Sequence, residues 1–147
     1  MIDFFIPGIP RPGGSKTAFI NKRTGRAMIV DACRKNPQWK QDIKVFAVNA
    51  YEEEPLRGPL ELRVHFYMPR PKGHYGSGKN ELTVKNSAPK YPDKKPDCTK
   101  LLRALEDALT GILWIDDSQV VRQVVGKSYA DTGDAKIGAH VFVIRIE

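Results

Sequence analysis

Cysteine is scarce in this chain. There are two, Cys33 and Cys98, and they form no Cys-x-x-Cys pair, so neither a zinc site nor a disulfide framework is expected. Long apolar runs are missing too; nowhere do apolar residues continue for the ~20 positions that a membrane-spanning helix needs. The opening residues, Met1-Ile2-Asp3-Phe4-Phe5-Ile6-Pro7, lack the basic start and apolar stretch of a secretory leader. Internal repeats and linkers with disordered flanks are absent as well. These absences argue against membrane, secreted-scaffold and repeat classes, and a cytoplasmic protein without membrane contact is expected.

What is present is a balanced globular composition. The 147 residues are 41% hydrophobic and 28% charged, enough for one ordinary core and one domain spanning 1–147. The formal net charge is +7 and the pI about 9.5. A basic excess of this size suits a polyanionic partner, most often nucleic acid. A solvated basic surface without a partner gives the same number, so charge alone does not choose.

Hydrophobic periodicity predicts the elements. Phe4 to Ile9 reads as a strand, followed by the turn-rich Pro10-Arg11-Pro12-Gly13-Gly14. Thr17 to Val30 reads as a β-hairpin with a basic tip, Lys22-Arg23-Thr24-Gly25-Arg26, and Gly25 in the turn. Trp39 to Tyr51 carries Trp39, Ile43, Phe46, Ala47 and Ala50 at helical spacing. Leu60 to Met68 alternates, with Leu60, Leu62, Val64 and Phe66 on one face of a strand. Leu101 to Ile112 is a second amphipathic helix that Gly111 ends. Val120 to Tyr129 and Lys136 to Ile146 are strands, and Ala130-Asp131-Thr132-Gly133-Asp134 between them suggests an antiparallel hairpin. The expected class is α+β, with two helices and a mixed or antiparallel sheet.

Between the fourth strand and the second helix runs a long loop, Pro69 to Pro96. It holds seven basic residues (Arg70, Lys72, Lys79, Lys85, Lys90, Lys94 and Lys95) against Glu81 and Asp93, an excess of five positive charges. Tyr75 and Tyr91 are interleaved. Basic loops with aromatic residues suit a phosphate backbone and splayed bases; a solvated excursion is the plain alternative.

Three aspartates go against the basic trend: Asp97 just before the second helix, and Asp116-Asp117 just after it. Phosphodiester hydrolysis needs charge neutralised on the phosphorane and a water activated, and Mg²⁺ held by one or two carboxylates does both. The structural alternative is a helix N-cap at Asp97 and a polar turn at Asp116-Asp117. A helix of about 12 residues is ~18 Å long, so the flanking chain must fold back for its two ends to meet.

Three blocks fix a resemblance. They are Lys95-Pro96-Asp97-Cys98-Thr99-Lys100-Leu101, Asp107-Ala108-Leu109-Thr110-Gly111, and Asp116-Asp117-Ser118-Gln119-Val120. In order and spacing they resemble the signature of the RusA family of Holliday-junction resolvases. That family carries Lys-Pro-Asp-x-Asp-Asn-Leu-x-Lys, a helix ending in Asp-Ala-Leu-x-Gly, and Asp-Asp-x-Gln-Val at a strand start, with a later strand lysine at Lys127. The likeness covers Lys95 to Lys127 well and extends more weakly to the opening strand and to Phe66-Tyr67-Met68-Pro69. It implies a homodimer that binds four-way DNA junctions and cuts two strands with Mg²⁺. It implies metal ligands at Asp97, position 99, Asp116 and Asp117, and a catalytic lysine where this chain has Arg103.

The chain departs from the pattern in three places. Thr99 replaces a carboxylate, Lys100 an asparagine and Arg103 the lysine. Arg103 keeps the positive charge and grips phosphate in a fork, but it cannot give up a proton at ordinary pH. It lies on the side of Thr99, and an i,i+4 pair with Asp107 is its alternative. Asp107 and Glu106 are too far along the helix from Asp97 to share its ion. The resulting expectation is that Asp97 and Asp117 hold Mg²⁺, Asp116 assists, and Arg103 and Lys127 stabilise phosphate charge. If a strand already runs at 116, only one of the adjacent pair faces the ion. Lys94, Lys95, Lys100, Arg70, Lys72, Arg11 and Lys16 are the candidate DNA contacts. Gly13-Gly14-Ser15-Lys16-Thr17 fails as a Walker A loop because Ser15 separates glycine from lysine. His65 and His140 fall in strands and read as structural or exposed. A non-cleaving junction binder and a plain nucleic-acid-binding module are the rival readings.

Overall fold

A computed structural model describes residues 1–13, 16–20, 22–31, 36–131 and 136–147. It is an α+β domain built on strands β1 (Ile2–Pro7), β2 (Lys16–Ile20), β3 (Ala27–Asp31), β4 (Leu60–Met68), β5 (Val120–Tyr129) and β6 (Gly138–Arg145). The helices are α1 (Asn36–Ala50) and α2 (Cys98–Leu109). Among the described residues no helix is long and apolar enough to cross a membrane.

The main sheet has the order β1-β6-β4-β5. Its β4 strand runs antiparallel to β6 and parallel to β5, with Glu61 beside Arg122 and Met68 beside Tyr129. Parallel neighbours need a crossover, and α2 supplies it. The expected hairpin between β5 and β6 is therefore not formed, because β4 lies between them. Phe66 and its neighbours are buried on one face and hydrogen-bonded on both edges, which gives this strand the central place that the local turn signal at 130–134 could not reveal. Residues 132–134 of that turn lie outside the described residues. The β2–β3 ribbon, by contrast, pairs as expected, from Lys16 opposite Asp31 to Ile20 opposite Ala27, with Gly25 at φ 69° in its tip.

Both helices cover one face of this sheet. Trp39, Ile43 and Ala47 of α1 are buried against α2 and β1, while Phe46 and Ala50, expected on the same stripe, are exposed. The i,i+4 row alone meets the sheet. From α2, Leu101, Leu105, Ala108 and Leu109 enter the core opposite Leu60, Leu62, Val64 and Phe66. Each large aliphatic side chain so buried contributes roughly 1.5–3 kcal/mol. On the uncovered face Glu61 is clasped by Arg63 and Arg122 at 2.9 and 3.0 Å, Arg122 first among the causes that hold its carboxyl below the usual range. His65 bonds Ser128 at 2.7 Å and His140 meets Asp3 there.

Element boundaries shift for local reasons. β1 stops at Pro7 because Gly8 turns the chain at φ 132° against the Trp39 ring. α2 starts at Cys98, since Asp97 is its N-cap and accepts from the Lys100 N–H at 3.2 Å. The long loop is not structureless: it holds 3₁₀ turns at Lys72–His74 and Gly78–Asn80 and a bridge between Tyr75 and Val84.

Candidate active site

Two clusters form, one at each end of α2. At its N-terminus a cleft of about 470 Å³ opens beside the carboxyl ends of the parallel strands β4 and β5, where Met68, Lys127 and Tyr129 line it. Ends of this kind collect ligands in α/β sheets. Into the lining of the cleft the fold brings Arg11, Lys94, Lys95, Lys100 and Lys127, five cations that share it with Asp97.

Each arrives there for a physical reason. Gly13 donates its N–H to the Lys100 carbonyl at 2.9 Å and packs so closely on Ala104 that a Cβ would lie 3.0 Å from its Cα. That contact lays residues 9–13 along the start of α2 and delivers Arg11. Lys127 reaches out of β5 and donates to the carbonyls of Lys94 and Pro96 at 2.7 and 2.8 Å. It thereby fixes the backbone that leads into Asp97. The Asp97 carboxylate caps the helix, lies 3.9 Å from the Lys100 amine and is about half exposed. Capping and an open carboxylate are thus found in the same residue, not as alternatives.

Arg70 differs from its expected role as a phosphate contact. Its side chain is 6% exposed and pairs with Asp131 at 2.6 Å. It also donates to the Pro89 carbonyl and stacks 4.1 Å over the Tyr129 ring. Such a guanidinium has no face left for DNA; it braces the loop against β5. Lys72 is exposed on a 3₁₀ turn. Lys16 opens β2, and its side chain lies outside the described residues, as do Gly14 and Ser15.

The second cluster follows the far end of α2. Gly111, at φ 90°, turns the chain, and Leu113 and Trp114 are buried. The Leu56 N–H donates to Leu113, tying this segment to the approach of β4. Gln119 then organises the acidic turn. Its side-chain oxygen accepts from Ile115 and Asp116, and its amide donates to the carbonyls of Leu56 and Gly58. Asp116 caps the 3₁₀ turn Asp117–Gln119, and the Ser118 N–H holds its carboxyl below the usual carboxylate range. Because β5 begins only at Val120, no strand runs at 116, and the alternation that would then have separated Asp116 from Asp117 does not arise. Glu106, too far along the helix from Asp97 to share an ion with it, feels the charge of Asp117 instead. Half-burial raises its pKa, Asp117 and Asp107 add to the rise, and a hydrogen bond from Gln123 opposes it. Its half-buried place on the edge of the α2 stripe was the available signal.

The two clusters do not merge. From Asp97 to Glu106, which feels the charge of Asp117, the helix rises ~14 Å. Thr99, Arg103 and Asp107 are exposed along the outer surface between them, and Arg103 makes no ion pair with an acid among the described residues. No three His, Cys, Asp or Glu side chains among the described residues come together to hold an ion. Within one chain, then, Asp97, Thr99, Asp116 and Asp117 do not fit a single shared metal.

The sequence matches the family described as Endodeoxyribonuclease RusA over residues 10–139. The chain belongs to the RusA family. It is also 30% identical over 130 residues to the uncharacterized protein YqaN of Bacillus subtilis (strain 168), a match that spans 88% of this chain and 89% of that one. RusA proteins are junction-resolving endonucleases and generally depend on a divalent metal.

Proposed function

We propose that this chain is an Mg²⁺-dependent endodeoxyribonuclease that resolves four-way or other branched DNA as a homodimer. The observation that supports it most directly is the cleft at the start of α2, whose lining carries five cations and the half-exposed Asp97. In this reading Arg11, Lys94, Lys95 and Lys100 hold the backbone of the strand to be cut. Lys127 positions the segment before Asp97, with its remaining N–H directed to phosphate. Arg103 offers charge from the outer face of α2. The metal would neutralise charge on the attacked phosphate and lower the pKa of a bound water.

The separation of the two acidic clusters supports the dimer. In a two-fold pair, residue i of one copy meets j of the other and j meets i. Two chains with their α2 helices antiparallel would set Asp97 of each against Asp116 and Asp117 of its partner. Two such composite sites suit a substrate cut on two strands.

Subunit mixing tests this reading. Asp97→Asn and Asp117→Asn chains, each inactive alone on a synthetic four-way junction with Mg²⁺, form a mixed dimer with one intact site and one doubly defective site. Nicking of a single strand should reappear on mixing and vanish in EDTA. Continued inactivity of the mixture would assign each site to one chain. Thr99, in place of a carboxylate, favours a second reading, a junction binder that does not cut; wild-type chain that binds the junction and leaves it intact across a Mg²⁺ titration would establish that instead.

A further inference from the structure

The cleft beside Asp97 is built for more than phosphate. Much of its wall is proline: Pro10, Pro12, Pro69, Pro71, Pro89 and Pro92 all line it. Proline carries no N–H and has a fixed φ, so these walls present rigid apolar rings and no backbone donors. Tyr129 adds an aromatic ring, and it is held in place. Arg70 lies over that ring and grips the Pro89 carbonyl at 2.6 Å, and His74 meets the ring edge-on, 5.5 Å between centroids. Two walls of the cleft are thereby fixed to one another before any ligand arrives.

The cleft volume, about 470 Å³, lies in the range of sites that enclose a small molecule, roughly 300–1,000 Å³. A volume of this size suits a single nucleotide. The exposed amines of Lys94 and Lys95 lie on the same cleft as the apolar walls. A ligand matching both has a flat apolar body and an anionic end. In duplex DNA that body is hidden in the stack. At a branch point stacking is already interrupted, and extruding a base there takes only a few kcal/mol, least where pairing is already lost.

We propose that the cleft receives one unstacked nucleotide of the branch point, its base between the proline walls and Tyr129 and its phosphate on Lys94 and Lys95 beside Asp97. The proposal rests on the reading that this chain acts on branched DNA. Insertion of the base would fix which phosphate meets Asp97, so the position of the cut would be set by the branch and not by contacts along an arm.

The test uses four-way junctions carrying 2-aminopurine either at the crossover or far along an arm, bound by the wild-type chain in EDTA so that no strand is cut. Emission should rise several-fold at one crossover position and stay constant in the arm. Beside Val48→Trp, an exposed change on α1 outside the cleft that should keep the rise, Ile9→Trp, at a cleft-lining residue 41% exposed, should fill the cleft and abolish it. Should that variant fail to fold, photocrosslinking of the wild-type chain to 5-iodouracil at the crossover decides, with adducts expected on His74 or Tyr129. Wild-type chain that cuts the junction with Mg²⁺ yet gives neither emission change nor cleft adducts overturns the nucleotide pocket and leaves the endonuclease reading intact. A chain that neither cuts nor binds junctions overturns both.

Discussion

Replacing Asp97 by asparagine separates two duties that one carboxylate performs. As N-cap, Asp97 accepts from the Lys100 N–H; an asparagine oxygen does the same, and the two residues rank together at this position. What the substitution removes is charge. Loss of a negative group from a helix N-terminus costs about 0.3–1 kcal/mol. The 3.9 Å pair with the Lys100 amine is about half exposed on both sides and adds ~0.2–1 kcal/mol at most. Asp97→Asn should therefore unfold in urea within about 2 kcal/mol of wild type. Asp97→Ala, which also loses the cap, should fall lower by ~1 kcal/mol. Binding moves the other way, because removing the one carboxylate from a cleft lined by five cations leaves junction affinity in EDTA equal or tighter. Cleavage with Mg²⁺ under single-turnover conditions should fall on the order of 100-fold or more, as when a group that stabilises transition-state charge is lost. A folded Asp97→Asn chain that cuts within a few-fold of wild type would refute the assignment.

Other perturbations probe the scaffold. Arg70→Ala strands Asp131, whose side chain is 15% exposed, and should cost about 3 kcal/mol in denaturant; Arg70→Lys should rescue little, lacking the fork and the stacking plane. Gln119→Ala forfeits four hydrogen bonds that set the acidic turn; a loss of roughly 2–4 kcal/mol and faster amide exchange at 115 and 116 should follow. Glu106 has a raised pKa, so the folded chain binds its proton more tightly than the unfolded chain. Its contribution to stability falls as pH rises from the ordinary glutamate pKa of ~4.3 through the folded value, and the deficit persists above it. Glu106→Gln should consequently raise Tm at neutral pH and leave it unchanged well below pH 4.

Much of the fold could be read from periodicity. Leu60 to Met68 carries an unbroken alternation, and its strand has those bounds. The α2 stripe was visible because Leu101, Leu105, Ala108 and Leu109 all enter one core. Pairing was another matter. The Asp-Thr-Gly-Asp turn speaks for a hairpin locally, but β4 (Leu60–Met68), far earlier in the chain, takes the place beside both strands. Long-range competition of that kind leaves no trace in a short window. At the site, the blocks around Asp97 and Asp116-Asp117 stood out as residue types, and their separation followed from helix length. The fate of Arg70 did not, because a basic residue in a basic loop looks free until Asp131, Pro89 and Tyr129 are brought around it.

The place of β6 in the sheet has a consequence for biosynthesis. It leaves the ribosome after the other five strands, yet it sits inside the sheet, with β1 on one side and β4 on the other. Until residues 138–145 emerge, β1 has no partner to pair with and the apolar edge of β4 stays open. The nascent chain can complete βαβ pairing of β4 with β5 but cannot close its core, so an unpaired β4 edge stays exposed until β6 emerges. A ribosome stalled before residue 138 would therefore present a sticky intermediate instead of a smaller folded protein, and surveillance by chaperones has its target there.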